Sequence, residues 1–174
     1  MRILSHRRVH DGPVICLDVD DVEEPGGIHA LREVVRHGDS VAALAVQEDG
    51  RLVLIRQYRY PAGQTLWEVP GGRLEAGESP ETGAARELEE EAGVRPGSME
   101  RLCSFFTTPG FCDESVHLFR ATRLAHVPPR PEADEGIETA LVTLEEARAM
   151  AAVGEIREAK TLLALLLEER RRGW

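Results

Sequence analysis

Cysteine is scarce in this chain: Cys16, Cys103 and Cys112 are all it has, and no two stand at CxxC or any other close metal spacing. An odd, scattered set excludes a disulfide framework and reads as reduced thiols, with Cys103 in or near the core. Long apolar runs are missing as well. None approaches the roughly 18 residues that a membrane span requires, and the amino end MRILSHRRVHDGPVICLDV has charge but no signal-peptide core. The expectation is a cytoplasmic protein with no membrane partner. The six histidines are dispersed and form no HExxH, which leaves no soft-metal site. Positive charge is in deficit, with 21 Lys and Arg against 31 Asp and Glu and a net charge of −10. That balance disfavours a nucleic-acid partner. It would also repel a phosphorylated metabolite unless cations mediate the contact.

What is present is an ordinary globular composition, 42% apolar and 30% charged over 174 residues, enough for one domain with a small appendage. Short apolar or alternating runs over residues 14–19, 30–35, 41–46, 52–55, 66–69, 116–121 and 137–142 carry the strand signature. Asp49-Gly50 joins two of them as a hairpin, which belongs in the middle of a sheet. Helical patterns cover 80–92, 144–153 and 159–171. The second starts at Thr143 with Glu146 three residues on, as in a capping box, and the third is too leucine-rich to lie free on a surface. The fold class is α+β, because strands and helices do not alternate regularly. Two strands precede the hairpin, so residues 1–38 form a small N-terminal β subdomain and 39–174 the main domain. Residues 126–136, HVPPRPEADEG, read as an exposed acidic loop.

The most informative stretch is GGRLEAGESPETGAARELEEEAGV, residues 71–94. Ser79-Pro80-Glu81 is a good helix start and Gly93 a good stop. Between them Ala84, Ala85, Leu88 and Ala92 share one face, which must be buried. Glu87 and Glu91 lie one turn apart beside that face, Glu90 lies just beyond and within reach of Arg86, and Glu89 points to water. Carboxylates at the edge of a core are costly unless neutralised. Hard divalent cations take oxygen ligands, and the bare backbone of Pro70-Gly71-Gly72 could bring a carbonyl close. A solvated acidic face is the simpler alternative, but the glycines, the capped start and the core-edge placement favour a metal.

At these residues the segment resembles the Nudix box, G-x5-E-x7-R-E-U-x-E-E-x-G-U with U bulky and apolar. Gly72, Glu78, Arg86, Glu87, Leu88, Glu90, Glu91, Gly93 and Val94 match every specified position. The resemblance implies an α/β/α Nudix sandwich with a mixed sheet, and a hydrolase that cleaves nucleoside diphosphates linked to another moiety with Mg²⁺ or Mn²⁺, two to three ions being held with substrate. It assigns metal binding to Glu87 and Glu91. Glu90 follows as a further ligand or a group just behind the ligands, and the Gly71 carbonyl also contributes. Glu78 and Arg86 pair as a brace.

Outside the box the match extends over residues 40–170. SFFTTPGFCDE, with Pro109, and IRQYRYPAGQTLWEVPGG resemble segments of ADP-ribose pyrophosphatases. That subgroup implies that Arg59 binds diphosphate, that Glu68 lies near the adenine or ribose, and that Glu114 contacts the terminal ribose. Trp67 is expected in the core. The catalytic base would come from the late acidic loop, with Glu135 favoured and Glu138 second. The subgroup also implies a homodimer whose N-terminal strands cross onto the second subunit. The expected reaction is hydrolysis of ADP-ribose to AMP and ribose 5-phosphate. The alternatives are another nucleoside diphosphate sugar, such as a UDP- or GDP-sugar, and a Nudix module that senses nucleotides without cleaving them.

Overall fold

The computed structural model describes residues 1–130 and 136–173, so Glu135 lies outside the described residues. The chain divides into two compact units. The first comprises Met1–Asp39 together with Ser104–Val116, and this second segment is one that the sequence reading assigns to the main domain. The unit is built on three antiparallel strands in the order β1 (Arg2–Asp11), β2 (Cys16–Glu24), β3 (Ile28–Arg36). The sequence reading expects two strands here, not three. It misses β1 because RILSHRRVHD is exposed along its whole length and has no apolar alternation to reveal it. On β2, by contrast, Asp18, Asp20 and Val22 share a buried face, in keeping with the two-residue period of a strand. The carboxylate of Asp18 receives Arg8 Nε at 2.8 Å and Arg36 Nε at 3.0 Å.

The second unit comprises Ser40–Cys103 and the chain from His117 onward. It starts with the hairpin of β4 (Ser40–Val46) and β5 (Leu52–Arg59), turned at Gly50 with φ +86°, a conformation that glycine adopts without strain. Then follow β6 (Gln64–Glu68), β7 (Gly71–Arg73), α1 (Pro80–Ala92), β8 (Val94–Arg95), β9 (Ser98–Phe106), β10 (Ser115–Thr122), β11 (Ala125–His126), β12 (Glu138–Val142), α2 (Leu144–Ala152) and α3 (Ala159–Arg172). A mixed sheet runs β12-β5-β4-β10-β9, with β6 added to β5 and β7 to β4. The hairpin is therefore central. Every residue of β4 is buried. Val41, Ala43 and Ala45 pack with Ala84 and Leu88 of α1. Ala42, Leu44 and Val46 point the other way and are buried too, and α3 also packs against β4. A strand covered on both sides in this way belongs to a layered helix–sheet architecture.

Helix α3 meets the core through Thr161, Ala164, Leu165 and Glu168, while Leu166 stays exposed. Glu168 is buried because Arg120 grips it with two nitrogens, at 2.7 and 3.2 Å, and Arg172 adds a third contact at 2.9 Å. Trp67 departs from its expected place: it is half-buried beneath the guanidinium of Arg56, 5.9 Å from the ring centre, rather than in the core. The cysteines are free and half-buried. Among the described residues no helix is long and apolar enough to cross a membrane.

Candidate active site

The site grows out of helix α1. Ser79 caps it, with extended backbone and a side chain that accepts the Thr82 amide at 3.2 Å, and Pro80 occupies the first turn, where no backbone donor is needed. Gly93 ends it at φ +62°, and a side chain there would meet the Val127 carbonyl at 2.9 Å. Burying Leu88 completely, at about 1.5–3 kcal/mol for a side chain of that size, fixes the rotation of the helix. Glu87 and Glu91 are thereby brought to the edge of the core, 9% and 4% exposed.

Two glycines meet these carboxylates. The Gly71 amide donates to Glu91 Oε2 at 2.8 Å. A Cβ on Gly72 would collide with the Glu87 carboxylate, and one on Gly71 would collide with the Val41 carbonyl and Ala42. The backbone approaches this closely only because both residues are bare.

Arg86 organises the rest. It donates to both oxygens of Glu78 at 3.1 Å, to Glu87 Oε1 and Glu90 Oε2 at 2.9 Å each, and to the Arg73 carbonyl at 3.0 Å. The Glu78 bonds, against the opposing effect of burial, raise the affinity of Arg86 for its proton; the same bonds hold the Glu78 carboxyl below its ordinary range. One guanidinium thus bonds three carboxylates, with a fourth, that of Glu75, 3.9 Å away.

Glu87 and Glu90 face a cavity of about 610 Å³, lined also by Glu91, Gly71, Gly72 and Arg59, with Arg73, Arg86 and Arg130 among its further walls. Arg59 is held by Glu68 through two bonds of 2.7 and 3.0 Å. Glu68 is 1% exposed, sits behind Arg59 and does not line the cavity. The bonds from Glu68 outweigh burial and strengthen the hold of Arg59 on its proton. Arg130 is brought in by its backbone, whose amide donates to the Glu90 carbonyl at 2.9 Å.

The other anticipated residues lie apart from this cavity. Glu138 opens β12, opposite Arg56 on β5, and pairs with it at 3.4 Å. Glu114 belongs to the first unit, where it accepts from the Thr107 hydroxyl at 2.8 Å and lies 3.6 Å from His37. Glu89 does not simply face water: Arg95 folds back and pairs with both its oxygens, at 2.7 and 3.0 Å. Sequence reasoning missed Arg73 and Arg130. Arg130 stands in a Pro-rich stretch with no periodicity, and only its backbone bond to the end of α1 places it at the cavity.

The donors fit a hard divalent cation. They are all oxygens, two of the carboxylates are buried, and bare glycine backbone lies directly against them. Among the described residues no three His, Cys, Asp or Glu side chains converge into a ready-made metal cluster.

Comparison with known proteins gives the same picture. A family model for the NUDIX domain matches residues 36–165. The ADP-ribose pyrophosphatase of Bacillus subtilis (strain 168) is 40% identical over 166 residues, 94% of this chain and 90% of that protein. The methanol dehydrogenase activator of Bacillus methanolicus is 39% identical over the same shares of the two chains. A crystal structure of an ADP compounds hydrolase superimposes with a TM-score of 0.88 at 22% identity, covering 97% of this chain and 92% of that one, and so shares the fold. With Gly72, Arg86, Glu87, Glu90 and Glu91 of the box lining one cavity and these relatives spanning nearly the whole sequence, the chain belongs to the Nudix hydrolases, a family of metal-dependent enzymes.

Proposed function

We propose that this protein hydrolyses ADP-ribose to AMP and ribose 5-phosphate, using Mg²⁺ or Mn²⁺. The observation that carries the reading is the pair of buried carboxylates, Glu87 and Glu91, held against bare glycine backbone in a cavity that also contains Arg59. When bound, two to three cations supply positive charge to the diphosphate oxygens and acidify the attacking water. Glu87, Glu91 and the Gly71 carbonyl would hold them, and Glu90 would add a further oxygen. Arg59 spends Nε and Nη2 on Glu68 and keeps the Nη1 hydrogens for a phosphate oxygen. Water adds to one phosphorus, the bridging P–O bond breaks, and a carboxylate takes the water proton. Glu135 of the late acidic segment is our choice for that base, because Glu138 already neutralises Arg56.

The protein acts in the cytoplasm as a homodimer. Support for the dimer comes from the first unit, which leaves Ile3, Val14, Ile28 and Leu31 exposed on and beside its three-stranded sheet. Glu114 then contributes to the ribose end of the substrate. A second substrate reading is a UDP- or GDP-sugar, since the described walls of the cavity present charges suited to phosphates and little that reads a base. Incubating the protein with ADP-ribose, UDP-sugars and GDP-sugars, with Mg²⁺ or Mn²⁺ and with EDTA, separates these. AMP and ribose 5-phosphate should form from ADP-ribose and vanish with EDTA. Faster turnover of another sugar would replace the substrate, and no turnover of any would favour a nucleotide sensor. Sedimentation at about twice the 19.2 kDa chain mass would support the dimer.

A further inference from the structure

Residues 68–72, Glu-Val-Pro-Gly-Gly, carry the backbone of the metal-binding reading; Gly71 and Gly72 pair with Ala42 and Val41 of β4, Glu68 pairs with Ile55 of β5, and further groups hold each residue. Glu68 is gripped by Arg59. The Pro70 carbonyl accepts the Ala43 amide at 2.9 Å. The Gly71 amide is on Glu91, and Gly72 lies under Glu87. The remaining restraint comes from a distant part of the sequence: the Val69 amide donates to the hydroxyl of Thr161, on α3, at 2.8 Å.

We propose that Thr161 is a positioning residue for the metal site, setting the backbone of Gly71 against Glu91 through the Val69 amide; this rests on the metal-binding reading above. Proline has no N–H, so Val69 carries the last backbone donor before Gly71, and the fixed φ of Pro70 passes its position on stiffly. Thr161 is completely buried. Its own hydrogen goes to Glu158 Oε2 at 2.9 Å, which leaves the oxygen lone pairs for Val69.

Glu158 is itself held for this task. It caps α3 by accepting the Lys160 and Thr161 amides at 3.1 and 2.9 Å, and Lys160 Nζ approaches it at 2.7 Å. Burial works against its charge, but Lys160 and those amides outweigh it and keep the carboxylate ionised below its ordinary range. A helix cap alone would need only Ser, Thr, Asp or Asn at that position. The longer side chain of Glu158 reaches both the helix amides and the Thr161 hydroxyl, and so fixes which way that hydroxyl points.

The plain structural alternative is that Thr161 merely satisfies a buried amide. Metal affinity separates the two. Thr161→Val keeps the shape and loses the hydroxyl, whereas Thr161→Ser keeps the hydroxyl. In full-length protein titrated with Mn²⁺ and read by electron paramagnetic resonance, Thr161→Val should bind on the order of tenfold more weakly, and Thr161→Ser should stay within about twofold of the original. Thr161→Val that melts earlier but binds Mn²⁺ with unchanged affinity would overturn the proposal and leave a structural hydroxyl. Should Thr161→Val fail to fold, Glu158→Ala frees the hydroxyl to rotate and should weaken Mn²⁺ binding by about threefold; unchanged affinity there overturns it equally. If the unaltered protein binds no Mn²⁺, the metal reading falls and this inference falls with it.

Discussion

Two clusters of acid and arginine, one in each unit, are built as inverses. In the first unit one buried carboxylate, Asp18, is shared by two guanidiniums, those of Arg8 and Arg36. On helix α1 one guanidinium, that of Arg86, is shared by the carboxylates of Glu78, Glu87 and Glu90. Asp18 is buried and lines no part of the cavity beside α1, although its two arginines also pair with Asp11 and Asp113, and the Arg8 bond, against burial, pulls its pKa down to about 2 from 3.8. The α1 carboxylates Glu87 and Glu90 instead line the cavity together with Glu91, whose Oε2 accepts the Gly71 amide. A carboxylate gripped away from a cavity serves the fold; carboxylates that open onto one can take a cation.

The largest effect expected falls on the proton acceptor. Glu135→Gln should lower kcat by about 10²- to 10⁴-fold with substrate binding largely kept, while Glu138→Gln, whose carboxylate is already paired, should change little. A loss confined to Glu138→Gln would move the base there and weaken the contrast between gripped acids and those that open onto the cavity.

Next comes Glu91→Gln. Its amide oxygen can still accept from Gly71 while the charge is lost. Activity should drop by roughly 10²-fold or more while the fold persists. Undiminished turnover at saturating Mg²⁺ would show that Glu91 is not a metal ligand.

Asp18→Asn should behave in the opposite way, with Tm lowered by about 2–4 °C and Mn²⁺ affinity unaltered. The pH dependence follows from the sign of the shift. The folded pKa of Asp18, about 2, lies below the ordinary 3.8, so its contribution is complete above 3.8 and is lost as pH falls from there towards 2. Melting curves of both proteins should therefore converge on acidification, and a constant gap would refute the ion-pair account.

Glu89→Gln is the smallest. Glu89 is balanced by Arg95 and lies outside the cavity. Turnover should stay within about twofold of the original, as for an exposed pair worth roughly 0–1 kcal/mol.

How far these clusters could be read from sequence differs for a physical reason. The bounds of α1, its cap at Ser79, its stop at Gly93 and the buried stripe of Ala84 and Leu88 are local properties of period and capping, and they were legible. So was the Asp49-Gly50 hairpin. The three-carboxylate grip of Arg86 was half legible: its reach to Glu90 follows from helix spacing, and its pairing with Glu78 follows from the family box. The Arg8–Asp18–Arg36 network was not, because it depends on the register of β1 and β3 on β2, and β1 has no hydrophobic pattern to announce it. Glu68 was placed near the substrate, yet the register of β6 on β5 buries it behind Arg59. Arg130, through its amide on the Glu90 carbonyl, and Thr161, through its hydroxyl on the Val69 amide, join segments far apart in sequence, which no local pattern encodes.

Gly72 lies bare beneath Glu87. Even a methyl group there would push the carboxylate aside, while the capped helix, the sheet and the arginines of the cavity would remain. Gly72→Ala should accordingly keep its nucleotide affinity and lose turnover, and wild-type turnover in that variant would refute the steric account. In evolutionary terms, catalyst and receptor are neighbours here. One altered base in a glycine codon leads from an enzyme that consumes its ligand to a protein that only detects it.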